Sequence, residues 1–435
     1  MTRPLPPLGP NKALKLPKTV ERTLSNGLTV IAIRRQAVPL VEVRLRIPFA
    51  RANLARAAVL TQTLLSGTGD MTVNEIAAEL QKVGGGLSAG ADPDRLLVSG
   101  NALVAGLDRL LSMMADVLTG ATYPAGEVAT ERARLADRIR VAESQPAHMA
   151  REALLKRVYG KHPYAVQTPS PEHVKAVGAG ALRSLHSERV HPAGATLVIV
   201  GDLAPEKAID AAERALSTWD GNGKEADLPA VPELKPGPLT LVDRPDAVQS
   251  SLRLALPAVG RMHPDHANLQ LANLVFGGYF SSRWVENIRE DKGYTYGPHS
   301  MVEHALAGST LVVAAEVATE VTAPALLETY YEMGRLATLP PEDHELEQAR
   351  QYALGTLRLG MSTQSGLAGL AVTYAGFGLR LDYLAEHANR LTKATRDDVA
   401  EAAAKYLAPS KAVTVVLGDA ARVESSLAAL TDLTK

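Results

Sequence analysis

The sequence predicts an α+β fold made of a tandem repeat of two related α+β domains. The chain has 435 residues, which is more than one ordinary hydrophobic core holds, so at least two packing units are expected. Two segments share the same order of a proline, an apolar strand and a closing Gly-Asp pair: HPAGATLVIVGD at residues 191–202 and APSKAVTVVLGD at residues 408–419, 217 positions later. Each follows an amphipathic helical pattern, and a repeat at half-chain spacing indicates duplication.

A stretch rich in glycine, proline and charged residues, at 221–239, separates the two halves and is typical of a linker. We therefore predict an N-terminal α+β domain at residues 1–218, a linker at 219–237 and a C-terminal α+β domain at 238–435. Each domain then has about 200 residues, which is within the usual range for a domain.

In the first half, hydrophobic periodicity and turn signals predict a pair of strands followed by helices and further strands. Strand patterns cover residues 20–34, broken by the turn signal Ser25-Asn26-Gly27, and then 40–47, 95–101 and 195–200. Helical patterns cover 52–65, the segment from the capping box at 72–75 to the glycines at 84–86, 107–118, 127–159 and a helix ending near 190.

Three motifs with possible chemistry are interpreted as structural. GLSAG at 86–90 matches the G-x-S-x-G nucleophile elbow, which requires a strand before it and a helix after it. Here a helix precedes the segment and the turn 92–94 follows it, so we predict that 86–90 is a turn between a helix and a strand. His263 and His266 flank Pro264-Asp265, where a helix begins, and are predicted to be solvated because no third metal ligand is evident. His299 and His304 are five residues apart, a spacing that separates them on a strand or a helix.

Composition excludes several function classes. The formal net charge of −1 gives no support for a nucleic-acid partner. With no cysteine there are no disulfides, thiolate metal ligands or cysteine nucleophile. The first 18 residues are proline-rich without an apolar run, which predicts neither a signal peptide nor a membrane span. We expect a cytoplasmic protein.

Residues 281–296, SSRWVENIREDKGYTY, predict a short helix with a tight exit into a strand. Ser281 or Ser282 is suited to cap the helix, and Gly293 to the left-handed exit. An apolar face is formed by Trp284, Val285 and Ile288.

This geometry leaves Arg289 on the last helical turn and Tyr296 on the following strand, where both polar tips could meet one extended ligand. The alternative for each residue is structural. An arginine there can simply complement the helix dipole, and a strand tyrosine is often a packing residue.

A family resemblance is carried by the order of elements, by the segments GTGDMTVNEIAAELQKVGGGLSAGADPDRLLVSG and HPDHANLQLANLVFGGYFSSRWVENIREDKGYTYG, and by the two strands ending VGD and LGD. In these features the chain resembles the pitrilysin and mitochondrial-processing-peptidase family of inverzincins. The small bacterial members built from two half-size chains are the most similar. The resemblance covers roughly residues 18–430 and implies half of a clam-shell built from two α+β domains.

Catalytic members of that family carry H-x-x-E-H on a helix of the first domain, with a distal glutamate as the third zinc ligand. The matching positions here hold Val59, Gln62 and Thr63, and the distal position falls at Asp137 or Arg138. Valine has no ligand atom, threonine is a poor zinc ligand, and a glutamine amide cannot accept a proton as a carboxylate does. The resemblance therefore implies no metal in this chain and no hydrolysis of peptides by it alone.

The family's other site residues are an arginine and a tyrosine that hold the substrate backbone and help to stabilise the oxyanion. Arg289 and Tyr296 match them. Gly277, Gly278 and Tyr279 resemble the glycine-containing approach to this site, although the two glycines fit a plain helix C-cap equally well.

The resemblance implies the non-metal-binding subunit of a heterodimeric zinc endopeptidase, without a cofactor of its own. A partner of similar size with H-x-x-E-H would supply the zinc and general base, and the substrate would be an unfolded peptide. The alternative is a catalytically inactive scaffold or peptide-binding relative, in a homo-oligomer or a larger complex.

Overall fold

The computed structural model describes residues 14–221 and 227–434. Its strands form two six-stranded sheets, one from each half of the chain. The strands are β1 Thr19–Thr23, β2 Thr29–Arg34, β3 Leu40–Pro48, β4 Gly86–Ala91, β5 Arg95–Leu103, β6 Thr196–Gly201, β7 Leu239–Asp243, β8 Gln249–Pro257, β9 His299–Ala305, β10 Gly308–Ala318, β11 Val413–Gly418 and β12 Leu433–Thr434.

Helices cover the faces of both sheets. The α-helices are α1 Leu54–Thr63, α2 Val73–Lys82, α3 Leu107–Gly120, α4 Ala125–Glu143, α5 Pro146–Tyr159, α6 Pro171–Lys175, α7 Ala179–Arg189, α8 Pro205–Leu216, α9 His266–Asn273, α10 Arg283–Val285, α11 Thr322–Thr338, α12 Asp343–Ser362, α13 Gln364–Gly376, α14 Tyr383–Lys393, α15 Arg396–Tyr406 and α16 Ala420–Ala428. Two π-helical turns, Leu274–Gly278 and Glu286–Asp291, continue α9 and α10. None of the helices described is long and apolar enough to cross a membrane.

The two sheets repeat one strand order, β2-β6-β3-β5-β4 in the first and β7-β11-β8-β10-β9 in the second. In both, the first pair is parallel and the following pairs are antiparallel. β6 and β11, the strands of the sequence repeat, are buried along their whole length. The predicted tandem repeat of two related α+β domains is confirmed, while the exact domain boundaries stay a prediction.

Two predictions about the first half are wrong. The single helix predicted at 127–159 is divided into α4 and α5, because Pro146 has no N–H to continue the hydrogen bonds of α4 and instead begins α5. The turn predicted at 86–90 is the edge strand β4, which pairs with β5 from Gly86 to Ala91. A further strand follows it, and not the helix that a nucleophile elbow requires.

The break before α5 allows the two halves to exchange equivalent helices. α5 leaves the first half and packs on β8 and β11, while α13 of the second half packs on β3 and β6. Leu154 and Val158 of α5 are buried with Ala255, and Leu367 of α13 is buried with Val198. Because burial of each such side chain is worth about 1.5–3 kcal/mol, each half contributes to the stability of the other.

The tips of the two edge hairpins are also joined. Asp94 lies in the turn between β4 and β5, and Leu306 and Ala307 lie in the turn between β9 and β10. The Asp94 carboxylate accepts hydrogen bonds from the Tyr164 hydroxyl and, at 2.9 Å, from the Leu306 backbone N–H. The Tyr164 oxygen in turn accepts from the Ala307 N–H at 3.1 Å. The carboxylate thereby fixes one sheet relative to the other.

Asp94→Ala is expected to lower the free energy of unfolding by about 2 kcal/mol, because it leaves a part-buried hydroxyl and an N–H without an acceptor. Urea denaturation measures the change. Asp108→Ala is the control, since the ion pair of Asp108 with Arg214 is exposed and should be worth about 0.5 kcal/mol. Equal losses in the two variants would contradict the role of Asp94 as a link between the halves.

Candidate functional site

The segment 281–296 is a helical turn whose apolar face is buried as predicted. Trp284, Val285 and Ile288 lie in the core, and the Trp284 indole N–H donates to the Thr329 hydroxyl at 3.0 Å. The predicted serine cap is wrong in one respect. Ser282 does precede α10, but its buried hydroxyl makes no hydrogen bond to the helix.

After α10 the backbone widens into the π-helical turn Glu286–Asp291, in which the Lys292 N–H bonds to the Asn287 carbonyl at 3.1 Å. Such turns are rare and concentrate at functional sites. Gly293 then has a φ of 62°, which confirms the left-handed exit. Tyr296 lies in the loop before β9 and not on a strand as predicted, because Pro298 cannot donate a ladder hydrogen bond and β9 begins one residue later.

Acidic side chains of α11 and α12 hold this turn in place. Arg283 donates through Nε and Nη2 to both carboxylate oxygens of Glu345, each at 2.6 Å. The Asn287 amide donates to Glu328 at 3.0 Å and to the buried Glu332 at 2.9 Å. A bidentate pair of this kind fixes orientation as well as distance, so the backbone that carries the next residues is preorganised.

Arg289 extends from the π-helical turn and contacts the faces of two aromatic rings. Its Cζ is 4.5 Å from the centroid of the Phe280 ring and 4.9 Å from that of the Tyr296 ring. Nε faces the Glu290 carboxylate at 3.1 Å. In the ranges described, the two Nη groups have no hydrogen-bond partner. We call Phe280, Arg289 and Tyr296 the aromatic stack; it brings the two predicted site residues into contact.

The aromatic stack borders an open groove whose charges are compensated. The groove is lined by Gln249, Arg289, Glu290, Gly293, Tyr294, Thr295, Tyr296, Gly297, Glu316 and Ala318. Glu316 is paired with the buried Arg253 and accepts from the Ser251 hydroxyl. Arg289 faces Glu290 in the same way, so the three charged side chains of the lining, taken together with Arg253, sum to zero. Such a surface suits neutral groups such as peptide carbonyls better than it suits ions.

Gly277, Gly278 and Tyr279 are placed for packing. A Cβ on Gly277 would lie 2.8 Å from the Trp284 ring, and one on Gly278 would lie 2.7 Å from the Asn273 amide nitrogen. Tyr279 stacks on Tyr352 of α12, with ring centroids 5.1 Å apart. None of the three lines the groove, so their contact with substrate stays a prediction. The neighbouring Phe280, which no sequence pattern singles out, is the residue that contacts Arg289.

The positions that match H-x-x-E-H are filled by internal contacts. Val59 is fully buried, and Thr63 donates its hydroxyl to the Val59 carbonyl at 2.8 Å. The Gln62 amide oxygen accepts from Nη2 of Arg138 at 2.7 Å. Arg138 therefore faces the motif, whereas Asp137 is exposed and pairs with Arg140. A guanidinium at this point repels a divalent cation.

The interpretation of His266 as a solvated residue is wrong. Its side chain is only 4% exposed, because α9 begins at this residue and turns the ring toward β9. Nε2 of His266 lies 3.3 Å from Nε2 of His304, and the ring lies 4.8 Å from that of His387. Sequence spacing concealed this cluster, since its members come from three different elements.

Hydrogen-bond directions indicate a neutral cluster. The Tyr383 hydroxyl donates to the Arg261 carbonyl at 2.9 Å, so its oxygen is free to accept from Nδ1 of His266 at 3.2 Å. Nε2 of His266 then accepts from Nε2 of His304, whose Nδ1 accepts from Ser309 at 2.7 Å. In this chain of hydrogen bonds the ring nitrogens of His266 and His304 all have a partner, and both imidazoles are neutral.

Burial holds the pKa of all three imidazoles far below the ordinary value for histidine. The pKa is lowered to about 2 for His266, about 3 for His304 and about 4 for His387. The positive charges of Arg261 and Arg390 add to the effect of burial. Across residues 14–221 and 227–434, no group of three or more His, Cys, Asp or Glu side chains is arranged to hold a metal ion. The cluster is thus a buried polar network.

Comparison with known proteins gives consistent matches over most of the chain. The family description "Insulinase (Peptidase family M16)" matches residues 56–172, and "Peptidase M16 inactive domain" matches residues 176–352. An uncharacterized zinc protease of Mycobacterium leprae is 24% identical over 302 residues, which are 67% of each chain. The uncharacterized zinc protease YmxG of Bacillus subtilis is 25% identical over 317 residues, 71% of this chain and 75% of that one.

Solved structures share the fold. A peptidase M16 inactive domain from Pseudomonas fluorescens superposes with a TM-score of 0.84 at 23% identity, covering 92% of this chain and 98% of that one. A protease from Helicobacter pylori superposes with a TM-score of 0.85 at 20% identity, covering 93% and 100%. The two-domain arrangement is therefore common to these proteins.

Proposed function

The chain belongs to the M16 peptidase family, and on that basis we propose that it is the non-metal-binding subunit of a heterodimeric zinc endopeptidase. A partner chain with H-x-x-E-H supplies the zinc, the attacking water and the general base. This chain supplies Arg289 and Tyr296 to bind the peptide backbone and to stabilise the oxyanion.

The observation that carries the proposal is the arrangement of Arg289. Both of its Nη groups are without a partner in the described residues, and its Cζ lies over the ring of the 86% exposed Tyr296, in a groove whose charges are compensated once the buried Arg253 is included. Guanidinium and phenol donors can hydrogen-bond the oxygen of a peptide carbonyl more strongly as it gains negative charge. A side chain that merely complemented a helix dipole would not require this setting.

The side chains at the degenerate zinc positions support the division of labour. Gln62 is bonded to Arg138 and Thr63 to the Val59 carbonyl, so neither offers a free metal ligand. A zinc-activated water must then come from a second chain, whose active-site face lies opposite the groove. The substrate is an unfolded peptide in extended conformation, since such a chain presents its carbonyls at regular intervals.

Mixing the purified chain with an H-x-x-E-H chain of similar size should give hydrolysis of an unfolded peptide that neither chain shows alone. Elemental analysis of the complex should find one zinc per heterodimer, all of it lost when the partner's motif is mutated. Full activity of the partner alone would contradict the proposal. A zinc-free homo-oligomer that leaves the partner's activity unchanged would instead favour a scaffold.

A further inference from the structure

Phe280 has no packing role that explains its place in the molecule. The chain contains four phenylalanines, of which Phe49 and Phe276 are fully buried. Phe280 is 56% exposed and is part of none of the hydrophobic cores in the described residues. Within the described part of the chain, its ring face meets the Arg289 guanidinium, with Cζ 4.5 Å from the ring centroid.

The second ring of the aromatic stack cannot hold Arg289 by itself. Tyr296 is 86% exposed and lies in a loop, so its own orientation depends on what it packs against. Phe280, in contrast, follows the π-helical turn Leu274–Gly278, whose glycines are locked against Trp284 and Asn273. Of the two rings, Phe280 has the more rigid attachment.

The stack also limits how the guanidinium is oriented. Its Cζ lies over both rings, at 4.5 and 4.9 Å from their centroids, so the two rings limit the orientations open to the planar group. The N–H bonds of a guanidinium lie in its plane, so a ring that holds the plane in one orientation also sets the directions of the Nη donors. Without Phe280 the side chain would regain rotamers that turn those donors elsewhere, for example toward Glu290.

We propose that Phe280 is a positioning residue, whose ring holds the Arg289 guanidinium in the orientation in which its Nη donors meet the substrate carbonyl. This inference rests on the proposed function of Arg289. It assigns Phe280 no contact with the reacting atoms. Its contribution is to fix the geometry of a donor before the substrate arrives.

Two substitutions of Phe280 distinguish the effect of its aromatic ring face from the effect of its apolar volume. Phe280→Leu keeps an apolar side chain but removes the π face, and Phe280→Tyr keeps the face. In the complex with an H-x-x-E-H partner, Phe280→Leu should lower kcat about tenfold with KM within about twofold, because misplacing a donor can cost up to roughly a hundredfold. Phe280→Tyr should restore kcat to within about twofold. Phe377→Leu is the matched control, since Phe377 stacks on Arg261 at 5.5 Å and does not line the groove.

Unchanged kcat in Phe280→Leu would overturn the inference, and so would equal losses in the leucine and tyrosine variants. A rise in KM at constant kcat would overturn it too, since it would mean that Phe280 binds substrate directly. Measuring Arg289→Ala in parallel distinguishes a failure of this inference from a failure of the proposed function. If that variant keeps full activity, the proposed function itself has failed.

An independent readout uses the isolated chain. The Nε–H resonance of Arg289, assigned by its loss in Arg289→Lys, should be shifted upfield by ring currents in the wild type and in Phe280→Tyr. It should move downfield in Phe280→Leu and stay in place in Phe377→Leu. A resonance that ignores Phe280→Leu would show that the stack does not hold Arg289, whatever the activity of the complex.

Discussion

Arg289→Ala is expected to lower kcat/KM of the reconstituted peptidase by about 10²- to 10³-fold, the usual cost of removing one oxyanion donor. The substitution deletes Nη donors that have no partner in the described structure, so no internal bond compensates for the loss. Arg289 is also in contact with the Tyr296 ring, so the alanine variant releases that ring as well. Initial rates on an unfolded peptide, at concentrations below and above KM, measure both parameters.

The control for this experiment is Arg134→Ala, which removes an exposed arginine that pairs with Glu131 on α4. Both variants should fold and bind the partner as the wild type does, since Arg289 belongs to none of the hydrophobic cores that the described residues form. Tyr296→Phe keeps the ring against Arg289 and removes the hydroxyl, so it isolates the second donor. Equal activity of Arg289→Ala and Arg134→Ala would remove the basis for a catalytic role.

The fold could be predicted largely because its repeat is local in sequence. The strands β6 and β11 carry an apolar run closed by Gly-Asp, and both occupy the same place in their sheets. The exchange of α5 and α13 could not be predicted in this way. Their apolar faces indicate burial, but no pattern states which sheet buries them, and Pro146 marks the break without giving its direction.

The edge strand β4 was missed for a related reason. Its sequence, GLSAGA, contains five small residues and a single larger one, Leu87, and has weak strand propensity. Pairing with β5 supplies the stability that the segment lacks by itself. Tertiary contacts override local preference most easily where that preference is small.

The candidate site, like the fold, could be predicted from the sequence only in part. The pattern of 281–296 correctly indicated the buried face, the exit at Gly293 and the nearness of Arg289 to Tyr296. It did not indicate the π-helical turn, which adds one residue without a change of composition, or the contact with Phe280, which comes from the preceding loop. Both depend on how the segment is held by α11 and α12.

Acidification from pH 7 to pH 5 is expected to destabilise the protein by several kcal/mol through the buried histidines. Their folded-state pKa values of about 2 to 4 lie below the unfolded value near 6.5, so the unfolded chain binds more protons in between. The stabilisation is therefore complete above about pH 6.5 and is lost as the pH falls toward the folded values. At pH 5 each histidine costs roughly 2 kcal/mol, against a total stability of about 5–15 kcal/mol.

Urea denaturation at pH 7 and pH 5 tests this expectation, with His304→Gln as the informative variant. A glutamine amide can still donate to Nε2 of His266, but it does not titrate, so the difference between the two pH values should shrink by roughly 2 kcal/mol. His344→Gln, at an exposed position on α12, should leave the difference unchanged. If the wild type and His304→Gln lose equal stability on acidification, the buried network does not set the acid sensitivity.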